Sequence, residues 1–178
     1  MQYKVDSLRY PIGHPELLDE ISDLERNNLI DKIASVPSLL HVAVEGLNDD
    51  QLDTTYRPDG WTLRQVIHHL ADSHLNAYIR FKWALTEDFP TIKAYDQDGW
   101  ATLTDANNAP IEESIKLLDG LHSRWCRLMR AMDDADWHRR VMHPEDGERS
   151  CLTFLMIYAW HGYHHLAHIN NLRNRMGW

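Results

Sequence analysis

Trp160-His161-Gly162-Tyr163-His164-His165-Leu166-Ala167-His168 puts four histidines within eight residues of a segment that otherwise reads as a buried helix. At about 100° per residue, a helix over 154–176 carries Phe154, Tyr158, His161, His165, Leu172 and Met176 on one face, which should point into a core. Burying an imidazole is costly unless both ring nitrogens find partners, and hydrogen bonds can satisfy one or two such residues. Four together suggest a metal ion. An i, i+4 pair brings two imidazole nitrogens to one cation, and both His161/His165 and His164/His168 are such pairs. His161 and His165 sit nearer the middle of the apolar stripe and are the preferred ligands, with His168 the strongest rival.

Two histidines hold a metal weakly, so a third ligand is expected from a second helical segment, about 63–85, that contains His68-His69. There Val66, His69, Ser73, Asn76 and Arg80 share a face unusually polar for a bundle seam. It is read either as the wall of a wet pocket or as a solvated face beside a core face of Leu63, Leu70, Ala77 and Phe81. Asp72 is a candidate base or ligand-orienting group, and Arg80 a candidate anchor for an anion. The alternatives are a solvated aspartate and an arginine paired within its own helix. His68, His74 and His164 are candidates for a supporting or surface role.

The remaining chain frames these two segments. Ser22-Asp23-Leu24-Glu25 has the form of a capping box, and Leu29, Ile33, Val36, Leu40, Ala43 or Val44, and Leu47 then step by three and four. Pro37 predicts a kink instead of a break, because the pattern resumes in phase beyond it. Residues 48–60 are turn-rich and end in Arg57-Pro58-Asp59-Gly60, and Thr62 is the expected N-cap of the second helix. Residues 86–110 read as a long connection, a possible lid. Pro110 opens a third helix with Ile111, Ile115, Leu118, Leu121 or His122, Trp125, Leu128 and Met132 as its seam. Pro144-Glu145-Asp146-Gly147 could turn a short hairpin before the last helix, which starts near Leu152. Residues 1–21, punctuated by Pro11, Gly13 and Pro15, read as an arm without regular structure laid over the domain. Four amphipathic segments and no persuasive sheet predict an all-α four-helix bundle forming a single domain over 1–178.

A formal charge of −9 without a basic cluster argues against nucleic-acid binding. The chain shows no signal peptide and no membrane-length apolar run, so the default expectation is a cytoplasmic protein. Cys126 and Cys151 lack CxxC spacing and an evident activating neighbour, and are expected to be reduced thiols without a catalytic role.

Three histidines would leave a metal position open for water or substrate, as catalytic sites do. Imidazole donors suit Zn²⁺, Ni²⁺, Fe²⁺, Co²⁺ or Cu²⁺, of which availability favours zinc. The lone histidine of the second helix and HxxxH on the last resemble the DinB-like superfamily of metal-binding bundles. Tyr10-Pro11-Ile12-Gly13, Gly60-Trp61-Thr62, His68-His69-Leu70-Ala71-Asp72-Ser73-His74, Arg80-Phe81, Trp160-His161, His164-His165 and Arg175-Met176-Gly177-Trp178 look like its YfiT group of metal-dependent hydrolases. That resemblance implies an up-down-down-up bundle, a homodimer, and one divalent metal, zinc or nickel, on His69, His161 and His165. Hydrolysis of a small electrophile is the leading expectation. Transfer of a low-molecular-weight thiol of the bacillithiol type, which relatives in the superfamily perform, and a non-catalytic metal-binding stress-response module are the alternatives.

Overall fold

A computed structural model describes residues 5–178. Four long helices carry the fold: α2 (Asp23–Val44), α4 (Leu63–Thr86), α7 (Ile111–Arg130) and α9 (Cys151–Met176). Between them lie the short helices α1 (Val5–Arg9), α3 (Asp49–Leu52), α5 (Gln97–Ala101), α6 (Thr104–Asn108) and α8 (Asp134–Trp137), and a hairpin of β1 (Arg140–His143) and β2 (Gly147–Ser150). The strands pair antiparallel with Met142 opposite Glu148, as the turn sequence suggests.

Long-range contacts give the directions of the long helices. His122 meets Ile33 while Arg130 meets Asp31, so α7 runs antiparallel to α2. His68 meets Ser114 and His74 meets His122, so α4 and α7 are parallel. Tyr158 meets Arg80 and His161 meets His69, so α9 is antiparallel to α4. Tyr163 beside Ser35 and Arg173 on the Ala43 carbonyl make α9 parallel to α2. The bundle is therefore up-down-down-up.

Such a topology needs one connection that runs the length of the bundle, between the parallel α4 and α7, and local chemistry anchors the connections. Ser22 with Glu25 and Thr62 with Gln65 form reciprocal capping boxes on α2 and α4. Arg64, buried on α4, gathers the α2–α4 connection by donating to Asp53 and Asp49 at 2.6 Å each, and holds the α6–α7 junction through the Ala109 carbonyl at 3.1 Å. Gln65 reaches the Ala101 carbonyl and Asn107, tying α5 and α6 to α4. The connection over 87–110 thus carries two helices where the sequence suggests irregular loop.

The arm also departs from expectation. Its Val5–Arg9 part is helical, and its 1–4 part lies outside the described residues. The described part of the arm does lie on the bundle: Trp160 Nε1 donates to the Gly13 carbonyl at 3.1 Å, and His168 Nε2 to that of Arg9 at 3.1 Å. α2 runs unbroken through Pro37. Met176, expected inside, is exposed. Pro110 is the N-cap of α7 and not its first residue.

Apolar packing falls into two clusters. One gathers Ile33, Phe81, Trp125 and Leu155, and the other Leu40, Leu63, Leu70, Leu118 and Ile169. His74 on α4, His122 on α7 and His161 and His165 on α9 fall between the sequence positions that feed the two clusters, and His69 lies among the α4 positions that feed the second. The interior of the bundle is thus crossed by a layer of imidazoles.

A candidate metal centre of three histidines

His69 projects from α4, and His161 and His165 from α9, which α4 meets antiparallel. The Nε2 of His161 lies 3.3 Å from that of His69 and 3.2 Å from that of His165. One nitrogen from each of the three falls within 4.8 Å of the others. His69 and His165 are buried and His161 is partly exposed, so the meeting point is walled by helices and open on one side. Burial pushes His69 down to about 4 and holds His161 and His165 well below the usual histidine range, so all three are neutral near pH 7.

This donor set fits a metal ion. A neutral imidazole has one N–H and one lone pair, and His161 Nε2 faces two other Nε2 atoms. A proton there satisfies one neighbour and opposes the other, whereas a cation at the shared point accepts all three lone pairs. Three imidazoles suit a borderline divalent transition ion.

A second trio, His164, His165 and His168, also lies within 4.8 Å. It shares His165, and His168 is already engaged on both nitrogens, by His165 Nδ1 at 3.3 Å and by the Arg9 carbonyl. Tyr56 stacks on the His168 ring at 4.0 Å between centroids, while Trp160 stacks on His164 at 4.3 Å. Among the described residues, His164 Nδ1 is buried without a hydrogen-bond partner.

Two cavities open onto His161. One of about 580 Å³ also exposes His69, His165, Trp61, Tyr56 and Asp98. The other, about 440 Å³, is lined by Ser73, Arg80, Tyr95, His143 and Tyr158 as well as His161. The polar face of α4 is therefore the wall of a pocket: Ser73 and Arg80 are buried, and Leu63, Leu70, Ala77 and Phe81 beside them are buried too. A cleft of about 590 Å³ between α2 and α7 is equally large, but none of the three converging histidines lines it.

Arg80 Nη1 donates to the Tyr158 hydroxyl at 3.3 Å and Nη2 to the Lys93 carbonyl at 3.4 Å. Among the described residues it has no carboxylate partner within 4.0 Å. Asp72 is half-buried, and desolvation, helped by the charge of Asp105, pushes its carboxyl up to about 6. His68 is turned away from the trio toward Ser114 and the Ala109 carbonyl. Both cysteines are free and buried, their thiols pushed up to about 11 and about 12 by desolvation.

Behind the trio, His161 Nδ1 meets His74 Nε2 at 3.1 Å, His74 Nδ1 meets His122 Nε2 at 2.8 Å, and His122 Nδ1 meets the Ile33 carbonyl at 2.7 Å. The seam spacing of α7 left Leu121 and His122 as alternatives, and both are buried. The signal for His122 was a titratable residue standing on an otherwise apolar stripe.

Fold and site together define a four-helix bundle with a histidine cluster inside it. The chain belongs to the DinB superfamily, whose family model matches residues 33–169. It is 52% identical over 170 residues to a candidate metal-dependent hydrolase of Oceanobacillus iheyensis, covering 96% of this chain and 98% of that one. With the candidate metal-dependent hydrolase YfiT of Bacillus subtilis it shares 46% identity over 173 residues, 97% of each chain. The solved structure of YfiT, described as having an unusual four-helix bundle topology, superposes with a TM-score of 0.95, covering 97% of this chain and 99% of that one at 45% identity. TT2238, a four-helix bundle at 18% identity, matches with a TM-score of 0.56 over 79% of this chain and 94% of that one, and shares the fold.

Proposed function

We propose that the chain is a metal-dependent hydrolase of small electrophilic substrates, in which His69, His161 and His165 hold one divalent ion, zinc by availability and nickel as the alternative. The observation that carries this reading is the meeting of three neutral imidazoles beside a cavity: the Nε2 atoms of His69 and His165 lie 3.3 and 3.2 Å from that of His161, and one nitrogen from each ring falls within 4.8 Å of the others. Bound there, such an ion supplies Lewis acidity and lowers the pKa of a coordinated water from 15.7 to about 7.

The chain's own residues do the remainder. Burial keeps the three imidazoles unprotonated, so their lone pairs are available at neutral pH. Asp72, one turn beyond His69 on α4, has its carboxyl pushed up to about 6, but it lines neither cavity that opens onto His161 and takes no step there. Arg80, with donors but no carboxylate partner among the described residues, orients an anionic or carbonyl group of the substrate from the Ser73–Tyr95–Tyr158 wall. Because both thiols of the chain are buried and protonated, any sulfur nucleophile must come from a second substrate.

A panel of chromogenic esters and electrophiles, offered to zinc-loaded wild type and to His161→Ala with and without an added thiol, tests this. Thiol-independent turnover that is lost in the variant supports hydrolysis. Turnover only with thiol replaces hydrolysis by thiol transfer, and no metal-dependent turnover of any substrate leaves a metal-holding module.

A further inference from the structure

The histidine row behind the trio has a direction, and its far end sets it. Pro37 has no N–H, so the carbonyl of Ile33, four residues earlier in α2, lacks its helical donor. His122 Nδ1 lies 2.7 Å from that oxygen. A carbonyl only accepts, so Nδ1 of His122 carries the hydrogen. In a neutral ring Nε2 is then the lone pair, and it faces His74 Nδ1 at 2.8 Å, which must donate. His74 Nε2 is left as acceptor, 3.1 Å from His161 Nδ1, which donates in turn. His161 Nε2 is left as a lone pair, aimed at the point shared with His69 and His165. The opposite polarity sets the lone pair of His122 Nδ1 against the carbonyl oxygen at 2.7 Å.

The same construction stands behind His165. The Arg9 carbonyl, at the end of α1, has no intrahelical donor. His168 Nε2 donates to it at 3.1 Å, which makes His168 Nδ1 an acceptor for His165 Nδ1 at 3.3 Å and leaves His165 Nε2 as the lone pair.

We infer that two backbone carbonyls, Ile33 freed by Pro37 and Arg9 at a helix end, fix the tautomers of His161 and His165 through His122–His74 and through His168, making these three positioning residues. The inference rests on the reading of His161 and His165 as ligands. It explains why His74 and His122 occupy positions where aliphatic side chains would pack more cheaply. It also explains the small residue at 162: a Cβ there would lie 2.5 Å from Val36 Cγ2 and 3.5 Å from His74 Cε1, so Gly162 lets α2, α9 and the His74 ring close up.

Long-range ¹H–¹⁵N spectra of the metal-free full chain at neutral pH, assigned by single-histidine variants, read the tautomers directly. The expected result is Nδ1–H for His74, His122, His161 and His165, and Nε2–H for His168. Nε2–H on His161 overturns the inference. In zinc competition with a chromophoric chelator, His122→Leu should bind about 10–100-fold more weakly than wild type, the usual effect of removing a group that orients a ligand. His122→Gln, which can accept from His74 and donate to the carbonyl, should recover most of that loss. Folded His122→Leu with wild-type affinity overturns the inference; if this variant does not fold, the wild-type spectrum decides alone. Wild-type protein with these tautomers but no zinc affinity would sink the metal reading while leaving the tautomer assignment, and zinc bound to the opposite tautomers sinks the assignment alone.

Discussion

Acidification should unfold the metal-free protein unusually steeply, because the folded chain hides imidazoles that the unfolded chain exposes. His69, His122 and His168 are pushed down to about 4 and His164 to about 3, with desolvation the largest cause in each. Below the ordinary histidine pKa of 6.5, the unfolded chain binds protons that the folded chain refuses. Their contribution is therefore complete above about pH 6.5 and is lost as pH falls toward 4. Asp72 acts in the opposite sense: its carboxyl, pushed up to about 6, binds a proton in the folded chain between its ordinary value and that point, and offsets one histidine. Each group is worth about 1.4 kcal/mol per pH unit. Four histidines less one aspartate give a loss of about 4 kcal/mol per unit at pH 5–6. His74, His161 and His165, also lowered, steepen it further. Against a total stability of about 5–15 kcal/mol, two to three units of acidification suffice. Urea unfolding followed by far-ultraviolet circular dichroism measures the slope. A stability that changes by less than about 1 kcal/mol between pH 6.5 and 5 would refute the reasoning.

Other consequences are narrower. Gly162→Ala gains about 1 kcal/mol of helix propensity but drives a methyl into fully buried, β-branched Val36. Overpacking of about 1–3 kcal/mol should prevail and lower the melting temperature by a few degrees, and a melting point above wild type refutes this. Arg64→Ala releases the α2–α4 connection and leaves the Ala109 carbonyl without its donor, so chemical denaturation should show a loss of about 1–3 kcal/mol. Once a substrate is found, Arg80→Gln should raise KM for anionic members of a substrate series more than for neutral ones. Equal effects on both would remove Arg80 from substrate binding. Light scattering tests the homodimer that the family resemblance implies.

Much of this fold can be read from three- and four-residue steps. The seams of α2, α4, α7 and α9 bury or half-bury the residues that their spacing selects, Met176 excepted, because a bundle helix needs one apolar stripe whatever its neighbours. Capping chemistry at Ser22 and Thr62 is equally local and equally legible. The trio His69, His161 and His165 was visible because two of its members share a helix face and the third lies on another amphipathic segment. His74 and His122 were harder. Periodicity describes one helix at a time, whereas their role arises only where α7 lies beside both α2 and α4. Helices α5 and α6 escape a periodicity test because five residues hold little more than one turn. Pro37 reads locally as a kink, yet its consequence, a free carbonyl for His122, appears only once α7 lies against α2.

The most direct test of the metal centre is elemental analysis of untagged protein, comparing wild type with His69→Ala and His161→Ala. The proposed site predicts about one equivalent of a divalent transition metal in wild type and its loss in both variants, which contribute from different helices. Wild type that holds no stoichiometric metal after chelation and reconstitution with Zn²⁺ or Ni²⁺, or variants that retain it, would contradict the site and leave the imidazole layer as a hydrogen-bonded polar core.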